Sequence, residues 1–182
     1  VLTFKTAPDY ETKSSYNAEA IASDGTNASA QTISITIVNV NEFTPTFTSA
    51  SSFTVAENQT TGPTIAASDG DGDTITYSIS GGTDASSFEI NSSSGAITFK
   101  SAPDYETKSS YQLSVRASDG TNIAAQDITV NIGNLNEHAP SLSLSNPYSV
   151  NEGSTTVTTV TATDADGDET ITFSIFDTGN SC

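Results

Sequence analysis

The chain has 182 residues, 22 acidic against 5 basic side chains, and a formal net charge of −17. That balance excludes nucleic acid and anionic membrane as partners, since both need a basic face, and it favours cations. The single cysteine, Cys182, excludes an internal disulfide, and no apolar run reaches the roughly 18 residues of a membrane-spanning helix.

Taken in order, the elements are strands. Tyr16, Ala18 and Ala20 alternate with polar residues, and so do Ile33, Ile35 and Ile37. Phe47, Phe53 and Val55 mark an opening strand or strand pair, and Thr64 to Ala67 a second strand. Ile75, Tyr77 and Ile79 form a half-buried strand, followed by Phe88 with Ile90 and, after the turn-like run Asn91 to Gly95, by Ile97 with Phe99. Tyr111, Leu113, Val115 and Ala117 alternate over what reads as the longest strand, and Ile128, Val130 and Ile132 close the unit. Tyr148, Val150, Val157, Val160, Ile171, Phe173 and Ile175 begin the same pattern again. One face in and one face out requires two sheets that cover each other. The expected fold is therefore all-β, a tandem of seven-stranded Greek-key sandwiches, with at most a single helical turn around Pro103 to Glu106.

Self-similarity sets the domain organisation. The segment APDYETKSSY at 7–16 recurs at 102–111, and NVNEFTP at 39–45 returns as NLNEHAP at 134–140, each 95 residues on. SDGTN at 23–27 and DGDGD at 69–73 recur in the same register, the latter as DADGD at 164–168. Residues 45–139 read as one complete repeat, 1–44 as the back part of another, and 140–182 as the front part of a third. The chain reads as a window on a longer array, with each flank too small to bury a core alone.

Placed on the sandwich, the acids converge on two junctions. Asp9, Glu11, Glu42, Asp69, Asp71, Asp73 and Asp119 gather about 39–45; Glu57, Asp104, Glu106, Glu137, Asp164, Asp166 and Asp168 gather about 134–140. The linker asparagines Asn39, Asn41, Asn134 and Asn136 complete the two candidate ligand sets. Two unit charges about 4 Å apart repel by roughly 4 kcal/mol at an effective dielectric of about 20. No Lys or Arg in the motifs offsets this, whereas Ca2+ with six to eight oxygen ligands does. DGDGD resembles the start of an EF-hand loop, but Ser80 stands where that loop needs Glu, and strands flank it.

These residues resemble the cadherin repeat, particularly the tandem bacterial cadherin-like domains. The family's Pro-Glu-Asn corresponds to Ala56-Glu57-Asn58, its Asp-Arg-Glu to Asp9-Tyr10-Glu11 and Asp104-Tyr105-Glu106, and its Asp-x-Asn-Asp-Asn-x-Pro linker to 39–45 and 134–140. The resemblance implies up to three calcium ions between successive domains and a role in adhesion at the cell surface or in a secreted protein. Asn39 and Asn134 replace a linker aspartate, which implies two or three ions per junction. Phe43 and His138 stand where the family has asparagine, at a position expected to act through its backbone carbonyl.

Nothing marks an enzyme. His138 lacks a nucleophile elbow, and the Asp104/Glu106 pair lacks the aromatic platform of a sugar cleft. Two other readings remain open at this point: a polysaccharide-binding sandwich, and a head-to-tail fibre in which 140–182 of one copy completes 1–44 of the next. Like repeats of another copy are the remaining candidate partner.

Overall fold

The computed structural model describes residues 1–144, 148–167 and 170–176. Its strands are β1 (Ser15–Ser23), β2 (Ala28–Thr36), β3 (Thr46–Phe47), β4 (Ser52–Ala56), β5 (Thr61–Thr64), β6 (Ala67–Ser68) and β7 (Thr76–Gly81). After a 3-10 turn at Ala85–Ser87 come β8 (Phe88–Ile90), β9 (Ala96–Phe99), β10 (Ser110–Ser118), β11 (Ile123–Gly133), β12 (Ser141–Ser143) and β13 (Thr161–Thr163).

The middle repeat is a sandwich. One sheet runs β4-β11-β10-β7, the other layer is β5-β9-β8, and β3-β6 form a separate short pair. The inward positions of the two layers meet in one core of Ile65, Phe88, Ile97, Phe99, Leu113, Val115, Ile128, Val130 and Ile132. Each such side chain contributes roughly 1.5–3 kcal/mol by leaving water. The rings of Phe88, Phe99 and Tyr111 pack edge-on or tilted, with centroids 4.5–5.7 Å apart. The all-β sandwich expected from alternation is what forms, and its nine strand segments reduce to seven when β3/β4 and β5/β6 each count as one broken strand.

The breaks have local causes. The strand expected over 64–67 divides because Ala66 turns its carbonyl to Thr48 and Ser49 (2.9 and 3.2 Å), while the Ile65 N–H goes to Gly95 (2.9 Å). Gly95 holds φ +70°, and a Cβ there would stand 2.1 Å from the Ile65 carbonyl oxygen, so only glycine fits. The longest strand is β11 with 11 residues, not β10 with 9. The single helical turn expected near Pro103 forms, closed by the Lys108 N–H on the Asp104 carbonyl (2.9 Å), and a separate 3-10 turn stands at Ala85–Ser87.

The flanks repeat the pairings of the middle. Tyr16 faces Ile35 across β1-β2 as Tyr111 faces Val130 across β10-β11. Ser141 faces Thr163 across β12-β13 as Thr46 faces Ser68 across β3-β6. The strand expected at 171–175 does not form. Its counterpart β7 pairs with β10, and the described residues of the last part contain no strand equivalent to β10. No helix among the described residues is long and apolar enough to cross a membrane.

Candidate metal centre

At the first junction the chain turns sharply at Asp69–Asp73, helped by Gly72 at φ +78°. Asp69 Oδ1 accepts the N–H groups of Asp71 and Asp73 (3.0 and 3.3 Å). Asp71 Oδ2 accepts those of Glu42 and Phe43 (2.9 and 2.8 Å), and Asn39 Nδ2 donates to the Asp71 carbonyl (3.2 Å). The linker is thus clamped to the turn of the following repeat. Asn122, from the β10–β11 turn, donates through Nδ2 to Asn41 Oδ1 (2.6 Å), the Phe43 carbonyl (2.9 Å) and Asp119 Oδ2 (3.2 Å).

Asp69, Asp71 and Asp73 each offer an oxygen within 4.8 Å of the others, and Glu11, Glu42 and Asp71 do the same, so Asp71 joins two clusters. Asp69 Oδ2 and Asp71 Oδ1 are buried and have no hydrogen-bond partner. Buried carboxylate oxygens without a donor are costly unless a cation faces them. Desolvation pushes the Glu11 carboxyl above its usual range, with repulsion from Asp71 and Glu42 adding to it.

The second junction repeats the plan with a full set of strands behind it. Glu57, 3% exposed at the end of β4, accepts Leu135 N–H on Oε1 and Tyr105 N–H on Oε2, both at 2.7 Å. That fixes the linker against the Asp104–Glu106 turn. Asp104 Oδ1 and Oδ2 accept the Thr107 amide (3.2 Å) and hydroxyl (2.9 Å), and those bonds hold its carboxyl below the usual range. Glu57, Asp104 and Glu106 lie within 4.8 Å of one another, as do Glu106, His138 and Asp166, with Glu106 common to both. Desolvation pushes Glu106 up, and repulsion from Glu57 and Asp166 adds.

Asp166 is 3% exposed and copies Asp71: its Oδ2 accepts Glu137 and His138 N–H (3.2 and 2.9 Å), and Asn134 Nδ2 donates to its carbonyl (2.9 Å). Its Oδ1 differs from Asp71 Oδ1, because His138 Nδ1 lies 2.7 Å away. That bond lowers the Asp166 pKa and raises that of His138. Asp164 Oδ1 accepts the Asp166 N–H (3.1 Å).

Of the sequence-expected ligands, Glu11, Glu42, Glu57, Asp69, Asp71, Asp73, Asp104, Glu106 and Asp166 stand in these clusters. Asp9 caps its own turn through Thr12 (2.9 Å), Asp119 reaches the linker through Asn122, and Glu137 is held by Asn58 Nδ2. Asn39 and Asn134 act as donors that latch the linker, Asn41 accepts from Asn122, and Asn136 is exposed on its linker. Asp168 lies outside the described residues. Sequence reasoning missed Asn58, Asn122 and the His138 ring. For Asn122 a signal existed, since it belongs to the SDGTN block that recurs from Asn27.

A family model described as the cadherin domain matches residues 51–133. The chain is 33% identical over 149 residues to rat Protocadherin-16, a match covering 75% of this chain and 4% of that protein. It is 36% identical over 154 residues to human Protocadherin Fat 4, covering 76% of this chain and 3% of that protein. The chain therefore spans a few per cent of the length of these curated relatives. Among solved structures it resembles the extracellular cadherin domains 3–6 of Protocadherin Gamma B2, with TM-score 0.71, 29% identity, 86% of this chain and 44% of that one. The cis-dimer structure of Protocadherin gammaB7 domains EC3–6 superposes with TM-score 0.71 at 27% identity, covering 88% of this chain and 44% of that one. The curated relatives are animal proteins and lend no support to the expectation of bacterial tandem domains; nor do the matches favour a polysaccharide module or a fibre. With relatives more than 30% identical over three quarters of its length, and the family model matching its middle, this chain belongs to the cadherin family.

Proposed function

We propose that the chain is a calcium-stiffened stretch of an extracellular adhesion protein, made of a complete repeat at 45–139 between partial repeats at 1–44 and 140–182. The observation that carries the metal is the pair of buried, donorless oxygens Asp69 Oδ2 and Asp71 Oδ1 inside a cluster of half-buried acids. The donors facing these points are carboxylate oxygens, the hard set that Ca2+ prefers. Two clusters share Asp71 at one junction and two share Glu106 at the other, the donors to calcium in the last being the Glu106 and Asp166 carboxylates and not the His138 ring, which suits at least two ions per junction.

The protein residues do the positioning. Asp71 and Asp166 hold the linker amides, Glu57 ties strand end, turn and linker together, and the carboxylates left over face each other across the domain boundary. Bound calcium supplies the positive charge that lets these acids stay close, which fixes the angle between repeats. A string of such junctions is a rod that presents its sandwiches to like repeats of another copy. Calcium titration by calorimetry, together with melting in calcium and in chelator, tests the reading: two or more ions per junction and a calcium-dependent melt are expected. A melt indifferent to chelation would overturn it.

A further inference from the structure

The two junctions are copies that differ at one informative pair. Phe43 lies against Gly70, where an added Cβ would be 2.6 Å from the Phe43 Cγ. Ninety-five residues on, the pair is His138 and Ala165, so a methyl group stands at the position where glycine makes room for the Phe43 ring. The imidazole goes elsewhere, with Nδ1 2.7 Å from Asp166 Oδ1 and a ligand atom within 4.8 Å of one on Glu106. At the sister junction Asp71 Oδ1, the counterpart of Asp166 Oδ1, is buried with no hydrogen-bond partner, whereas here the imidazole occupies that place.

We propose that Glu106, His138 and Asp166 form a mixed nitrogen–oxygen site for a borderline divalent ion, Zn2+ being the nearest match, and that the first junction cannot form it. This rests on the reading of the junctions as metal sites, but makes them unequal. Imidazole suits zinc and other late transition ions and is foreign to calcium, which takes oxygen. Zinc bonds of about 2.0–2.2 Å place neighbouring donors roughly 3.3 Å apart. Nδ1 has only to retreat a little from Asp166, and Glu106, which is exposed, has to swing in. Coordination replaces the shared proton between His138 and Asp166 with the metal, and that proton leaves to solvent. Water completes the sphere on the exposed side. Zinc at this site takes Glu106 and Asp166 away from calcium, so the two ions compete at one junction only.

The test uses the full chain with Cys182→Ser, so that no thiol binds zinc. Calorimetric zinc titration in calcium-free solution is compared with His138→Phe, which copies the first junction, and with Phe43→His/Gly70→Ala, which copies the second. One zinc per chain is expected for the parent, at least roughly ten-fold weaker binding for His138→Phe, and a second zinc for the double variant. His138 is the only histidine, so its nitrogen resonances report coordination directly; they should move in proportion to zinc added. Equal zinc affinity in parent and His138→Phe, or no zinc binding by the parent, overturns the proposal. Calcium-dependent melting of the same samples separates the two readings. A His138→Phe chain that keeps calcium and loses zinc supports both, and a parent that binds zinc through His138 without any calcium response sinks only the calcium reading.

Discussion

Asp71→Asn separates a metal ligand from a structural acid. Asp71 lies within 4.8 Å of Asp69 and Asp73. At that spacing each pair repels by roughly 3.5 kcal/mol at an effective dielectric of about 20, and by about 0.9 in water-like surroundings. Glu11 and Glu42 stand at the same spacing from Asp71, and all these side chains are partly solvated, which places the relief on neutralising Asp71 near the lower bound, about 3–4 kcal/mol for the four pairs. Against this, Oδ2 accepts two linker amides as an anion, and a neutral amide oxygen holds them less well by about 1 kcal/mol each. In chelator the relief slightly exceeds the loss, and the variant should melt at or a few degrees above the parent. In calcium at a hundred times its dissociation constant, one site per junction contributes about 2.7 kcal/mol. Losing that share should shrink the calcium-induced rise in Tm by roughly 10–20 °C for a domain of this size. Differential scanning calorimetry in both conditions reads it. An equal calcium-induced rise in variant and parent would refute the assignment of Asp71.

Asn134→Asp exchanges the latch on the Asp166 carbonyl for another negative charge, so it should lower Tm in chelator and strengthen calcium binding, both read by titration and melting. Val115→Ala, at a fully buried position between the sheets, should cost about 2–3 kcal/mol in urea unfolding with calcium affinity unchanged. Gly95→Ala should destabilise by more than about 1 kcal/mol through its left-handed backbone and the Ile65 carbonyl. The Lys108 ammonium beside Asp84 holds that carboxyl below its ordinary value. A depressed carboxylate stabilises the fold above its unfolded pKa, and that contribution disappears as pH falls through the folded value. Asp84→Asn should therefore flatten the acid limb of stability below about pH 4, measured by urea midpoints.

Strand alternation was legible because each strand of a sandwich has one dry face, and Tyr111 to Ala117 or Ile128 to Ile132 carry that pattern without interruption. The junctions were legible because repetition at 95 residues makes scattered acids recur together. What stayed hidden depends on neighbours distant in sequence. Asn58 meets Glu137 across 79 positions, and the break at Ile65–Ala66 is made by Thr48 and Gly95 rather than by its own residues. The strand expected at 171–175 had the right pattern, but the described residues hold no β10 equivalent for it to pair with, so pattern alone did not make it. The His138 ring position could have been suspected from the paired differences Phe43/His138 and Gly70/Ala165, which no periodicity exposes.

The first long strand of the middle repeat runs parallel to its last, with Ser52 opposite Thr129 and Ala56 opposite Gly133. The polypeptide therefore enters at one pole of the sandwich and leaves at the other. Tension applied through the neighbouring repeats slides β4 along β11, loading every rung of that ladder at once, whereas antiparallel ends would peel open rung by rung. A sandwich closed this way meets pulling in shear along that ladder.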